Sequence, residues 1–385
     1  MPYYRRVGEI PRKRHARFPQ PGGGLYAEEL MGEDGFSSSS SLLYHRHSPT
    51  AITAAEAVDD PDPGLCTEGP LLPRHFRTHA LATGGDAVRG RRLLLANDDV
   101  RVLYAAADRP SELYRNATGD ELLYVEEGDA VLESAFGSLD VAAGDYVVIP
   151  TATTHRLLPR ARQFRVLIIE ASGHVHPPRR YLSSEGQFLE QAPYSERDLR
   201  APEGPLLVEG GATTVLVRHR DGLTRYTYVD HPFDVVGWDG CLYPYAFSIH
   251  DFEPIVKRFH APPPVHQTFE APNVVVCSFC PRPFDFDPDA IPVPYHHANV
   301  DSDEVLFYAG GDFMSRKGAG IGPGSLSLHP AGFVHGPQPG SVDAAVGRPA
   351  TDELAVMLDT FRPLRVATAA LGAEDPDYAW TWARH

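Results

Sequence analysis

The sequence is short of several things, and each shortage excludes a class of protein. There are four cysteines in 385 residues, too few for a disulfide-stapled scaffold and in keeping with a reducing compartment. Cys277 and Cys280 form a C-x-x-C, but no second pair follows, so they read as strand residues rather than a zinc ribbon. Positive charge is scarce: 35 Lys and Arg stand against 51 Asp and Glu, a net charge of −16. The one basic cluster lies between Arg5 and Arg17, so there is no basic stripe for nucleic acid. A locally positive site for a substrate anion is still compatible with this balance. No apolar run approaches 18 residues, so no helical membrane span is expected. The opening MPYYRRVGEI lacks the apolar core of a secretory signal, and the default expectation is a cytoplasmic protein. Helical periodicity is also rare: residues 28–31 and 185–192 are the short candidates.

What is present is strand chemistry. The 36 prolines and 34 glycines punctuate short β-branched and aromatic runs, as in ELLYVE at 121–126 and NVVVCSF at 273–279. The serine run at 37–41 reads as a loop. The expected organisation is an N-terminal segment (1–80), a first strand-rich unit (81–175), a connector with strands (176–250), a second unit (251–365) and a tail (366–385).

The two units repeat one another. Glu304 is followed after six residues by Gly311, and then by GSLSLHPAGFVH ending at His335. Glu121 is followed after six residues by Gly128, and then by GDYVVIPTATTH ending at His155. Both second segments fit G-x5-P-x-[GA]-x-x-H. The Glu-to-His separations are 31 and 34 residues. Agreement at several independent positions makes chance a poor explanation.

These motifs resemble the cupin signature, G-x5-H-x-H-x3–4-E-x6-G followed by G-x5-P-x-G-x2-H. The resemblance implies an all-β chain with two double-sheet jelly-roll barrels. Counting back from Glu304 places the two histidine positions of the signature at His297 and Asn299. With Asn299 in the second position, His297, Glu304 and His335 remain, a facial triad suited to Fe(II) with positions open for substrate and O2. On an alternating strand His296 and Asp303 point away. In the first unit the same count gives Tyr114, Asn116, Glu121 and His155, too few ligands for a firm site. That barrel is read as structural, with Glu121 and His155 as remnants or a buried polar pair.

The wider chain resembles the homogentisate 1,2-dioxygenase family. The stretches that carry the resemblance are GLYAEELMG at 24–32, LYHRHSPTA at 43–51, FDVVGWDGCLYPY at 233–245, H-A-N at 297–299, and HGPQPG from His335. The resemblance implies one Fe(II) per chain on His297, Glu304 and His335, with O2 as co-substrate and a small aromatic acid as partner. It also implies acid/base work by His266, substrate contacts by Tyr295 and His329, and a homo-oligomer. The implied reaction opens the homogentisate ring between the carbon bearing the side chain and its hydroxylated neighbour, giving maleylacetoacetate. Phe313 lies near where the family commonly has a tyrosine that contacts the substrate carboxylate, and His296 replaces another tyrosine. Those departures keep a rival substrate open, such as gentisate or another hydroxylated aromatic acid. A metal-dependent cupin isomerase and a metal-free binding bicupin are further alternatives; the isomerase would want more Lys and Arg in its barrel, and fold alone does not decide.

Overall fold

The computed structural model describes residues 3–60, 64–67, 69–82, 84–220, 222–316 and 318–383. The expectation of an all-β chain holds: one short α-helix, Ser341–Ala345, stands beside twenty-seven strands and a few 3-10 turns among these residues.

The sequence repeat is also a repeat of strand order. In the first half five antiparallel strands run Asp145–Ile149, Glu121–Glu127, Phe164–Ala171, Val100–Ala107, Arg92–Ala96. In the second half they run Ser325–His329, Asp303–Gly310, Leu354–Thr360, Val274–Phe279, Gln267–Ala271. The motif glycines make the turns that permit this. Gly128 and Gly311 have φ of +85° and +83°, and Gly144 and Gly324 have +93° and +76°. A side chain is disfavoured in that region. At Gly311 a Cβ would also lie 2.0 Å from the Asp352 carbonyl oxygen.

Alternation along each strand divides the side chains between two cores. In the first half Leu123, Val125, Val147, Val166 and Ile168 face inward, against Ala130, Leu132, Leu139 and Leu157 of a second sheet. Leu122 and Tyr124 face outward, into a core shared with Val305, Phe307, Leu326 and Leu358 of the second half. The two sheets therefore stack back to back. Tyr124 meets Phe307 edge-on at 6.2 Å, and Tyr146 donates to or accepts from Ser278 Oγ at 2.9 Å. Burying this aromatic layer, at roughly 25 cal/mol per Å² of apolar surface, joins the halves. It also fixes Glu304, Leu306 and Tyr308 on the inner face of the second half.

A four-stranded sheet of Arg5–Gly8, Val235–Gly240, Ser40–His45 and Ala27–Gly32 covers one end. It explains FDVVGWDG as structure. Trp238 is fully buried with its indole N–H on the Phe136 carbonyl at 2.8 Å, and Asp234 accepts from His45 Nδ1 at 2.7 Å. Both helix candidates fail. Residues 28–31 form a strand because Glu28 to Met31 pair with Tyr44 to Ser41, so tertiary pairing overrides helix propensity. Residues 185–192 form turns, held by bonds such as Ser183 N–H to the Gln187 carbonyl at 2.8 Å. Part of the serine run, from Ser40, belongs to a strand rather than a loop.

Candidate metal centre

Glu304 begins the inward face of its strand and pairs across to His329 on one side and Asp359 on the other. His297 and His335 face each other in a small antiparallel bridge opposite, with reciprocal backbone bonds of 2.8 Å. This brings three ligand atoms within 4.8 Å of one another. His297 Nε2 lies 3.6 Å from Glu304 Oε2, and His335 Nε2 lies 3.2 Å from Glu304 Oε1. Two ligands about 2.1 Å from one metal at right angles are about 3 Å apart, so these separations fit one face of a coordination sphere.

The histidines are held in the tautomer a metal needs. His297 Nδ1 lies 3.1 Å from the Tyr295 carbonyl, and His335 Nδ1 lies 3.0 Å from that of Phe333. A carbonyl only accepts, so Nδ1 carries the proton and Nε2 keeps its lone pair for the ion. Glu304 is buried, which alone would raise its pKa. The imidazoles of His297, His329 and His335 around its oxygens, with His329 donating from Nδ1, instead hold it well below the usual carboxylate range. The donor set of two imidazoles and a carboxylate therefore fits a divalent ion.

A second ring of side chains shapes the first. His329 Nδ1 lies 2.9 Å from Glu304 Oε1, and its Nε2 lies 2.9 Å from the Tyr378 hydroxyl. Burial pushes His329 down to about 3, so the ring is neutral. Asn299 donates to Ser302 Oγ and to Asp359, each at 3.2 Å. Burial, and then the charge of Glu304, push Asp359 up to about 7. Arg316 is buried beside the triad, with Nη1 on the Gly336 carbonyl and Nε on the Tyr308 hydroxyl at 3.3 Å. Trp382 closes this wall, its indole N–H on the same Gly336 carbonyl at 3.0 Å.

A protein of Saccharolobus solfataricus that carries the provisional name of a dioxygenase is 37% identical over 386 residues, 99% of each chain. The family described as homogentisate 1,2-dioxygenase N-terminal matches residues 79–249. This chain belongs to the homogentisate 1,2-dioxygenase family. A homogentisate 1,2-dioxygenase of Rhodopseudomonas palustris is 26% identical across 93% of this chain and 86% of its own. As a family member the chain is an oxygenase. Among solved structures, a cupin-2 barrel protein of Leptotrichia buccalis covers 75% of this chain and 96% of its own, at 10% identity and a TM-score of 0.32.

The other residues singled out from sequence lie at varied distances from the triad. Tyr295 is exposed, its ring 6.0 Å from that of His297. His266 is buried against Phe279 at 4.7 Å, with Nδ1 unpartnered among the described residues. Burial and then Arg282 push it down to about 3, so it is neutral. Neither it nor Phe313 has a hydrogen bond or ring contact to the triad. Phe313 packs edge-on against Tyr308 at 4.9 Å in an apolar cluster. Asp303 is turned away from Glu304, accepting the backbone N–H groups of Ala331 and Leu364 at 2.8 and 2.7 Å.

Arg316, Asp359, Tyr378 and Trp382 were not singled out from sequence. The aromatic run YAWTW at 378–382 was the available signal. A second group with ligand-like spacing, Glu33, Asp120 and His174, is accounted for by the fold. Asp120 accepts from Thr151 N and Oγ1 and from Val175 N, the loop-holding work that Asp303 does in the second half.

Proposed function

We propose that this chain is an Fe(II)-dependent ring-cleaving dioxygenase whose substrate is homogentisate. The observation that carries the reading is the His297–Glu304–His335 face, with both imidazoles in the Nε2-ligating tautomer, inside a family of homogentisate dioxygenases. When bound, the iron would supply Lewis acidity and a binding position for O2. The protein's own residues supply orientation and proton control. His329, neutral and held by Tyr378 at Nε2, donates from Nδ1 to Glu304 and steadies that carboxylate. His266, neutral in a buried environment and with Nδ1 unpartnered among the described residues, can accept a hydrogen bond from the phenol. Tyr295 stands at the mouth beside His297, in place to border the ring. The apolar inner face, with Leu306 and Phe279, excludes water from the cleavage step.

A second reading keeps the chemistry and changes the acid. It is favoured by Phe313, which has no hydroxyl to offer a carboxylate. An oxygen electrode with a panel of hydroxylated aromatic acids tests both. The expected result is O2 uptake with homogentisate and a new ultraviolet absorbance from the opened ring. Uptake with gentisate but not homogentisate would move the assignment to the second reading. No uptake with any acid by the Fe(II)-loaded protein would reject ring cleavage.

A further inference from the structure

Arg91 and Arg316 are the buried arginines among the described residues, 9% and 7% exposed. Their partners differ. Arg91 Nη1 lies against two carboxylates, Glu121 at 2.9 Å and Glu170 at 2.7 Å. Arg316 pairs with no carboxylate among the described residues. Its Nε meets the Tyr308 hydroxyl, its Nη1 meets the Gly336 carbonyl, and its guanidinium stands 5.8 Å from the centre of the Trp382 ring. Its Nη2 donates to no described protein group. A buried cation without a counter-charge is costly. This chain has 51 acidic residues and a net charge of −16, yet none of the described acids forms an ion pair with Arg316. The carboxylate whose charge it feels is Glu304, and that one is committed to the metal.

The surroundings give the guanidinium a direction. Gly336 follows the ligand His335, and the Trp382 ring lies 6.4 Å from that of His329, so Arg316 stands in the wall of the metal centre. Tyr308, propped edge-on by Phe313 and tied to Ser327 Oγ at 3.3 Å, fixes the Nε edge. The guanidinium carbon lies over the Trp382 ring, an arrangement that favours a cation. One nitrogen is left for an anion. A planar guanidinium is the side chain best matched to a carboxylate.

We propose that Arg316 is the residue that anchors the substrate's carboxylate, so that the site selects ring acids over neutral phenols. The proposal rests on the ring-cleaving reading above. It also gives Phe313 a place, as the apolar prop of the tyrosine that orients the anchor.

The test is anaerobic calorimetric binding to the Fe(II)-loaded protein, using homogentisate and methylhydroquinone, which has the same ring and hydroxyls but no carboxylate. The wild type should bind the acid more tightly. Arg316→Met should weaken homogentisate on the order of 10²-fold and leave methylhydroquinone unchanged. Arg316→Lys keeps the charge but loses the planar fork, and should weaken the acid about tenfold, the worth of one charge-assisted hydrogen bond. Iron content and melting temperature identify a variant that has misfolded, and the lysine variant then decides. Equal losses for both ligands, or no loss for either, would overturn the anchor. So would a wild type that binds no acid more tightly than its neutral analogue. If homogentisate fails to bind but gentisate binds in an Arg316-dependent way, the anchor stands and the homogentisate reading falls.

Discussion

The two halves share a strand order and differ at the centre. In the second half Glu304 faces His297 and His335. In the first half the corresponding Glu121 faces Tyr114, which pairs with His155 as His297 pairs with His335. His155 keeps the same tautomer, Nδ1 on the Thr153 carbonyl at 3.0 Å. Its Nε2 is thus as available as that of His335, yet the place of an ion is taken by the Arg91 guanidinium, held between Glu121 and Glu170 and 5.1 Å from the centre of the Tyr114 ring. Arg91 immediately precedes the strand Arg92–Ala96, and His266 immediately precedes the equivalent strand Gln267–Ala271. A barrel of this plan needs a positive charge against its buried glutamate, and either a side chain or a metal can provide it.

The comparison breaks most visibly at the ligands. Replacing His297 or His335 with alanine should abolish iron retention and lower activity by more than the 10–100-fold typical of a change in the residues around a metal's ligands, while the fold persists; metal analysis and an oxygen electrode read both. Glu121→Gln should do the reverse, keeping iron and losing stability, because it strips Arg91 of one of its two carboxylates.

That loss has a pH signature. Burial alone would raise Glu121, but Arg91 wins and pulls it down to about 2 from an ordinary 4.5. A depressed folded-state pKa contributes stability that is full above about 4.5 and disappears as pH falls towards 2. Urea melts at pH 7 and pH 3 should therefore differ less in Glu121→Gln than in the wild type. An unchanged difference would show that Arg91 does not hold Glu121 ionised.

Two smaller effects sharpen the comparison. Tyr114→His alone should leave the metal count at one, because the guanidinium still fills the place. Adding Arg91→Ala should let a second ion bind at Glu121, His155 and the new histidine. Tyr378→Phe removes one hydrogen bond from His329 and should lower kcat by about tenfold with iron content unchanged. An unaltered kcat would release Tyr378 from any positioning role.

Much of this was legible because it is local or periodic. Glu304, His297 and His335 fall in register with a spaced motif, and inward alternation puts Ser327 with His329. The motif glycines showed their turns for the same reason. What stayed hidden depends on contacts far apart in sequence. Residues 28–31 look helical until Ser41 to Tyr44 pair with them. Arg91 is 30 residues from Glu121 and 79 from Glu170, and no pattern marks it as the first half's cation. Tyr378 reaches His329 across 49 residues, and Arg316 gains its meaning from having no described acid paired with it, which only the packed structure shows.

The central claim is that one half holds an ion where the other holds an arginine. Iron content per chain, measured after anaerobic Fe(II) loading and desalting, tests it most directly. The account predicts about one iron per chain, lost in His335→Ala and unchanged in His155→Ala. No retained iron, or two per chain with one lost in His155→Ala, would contradict it.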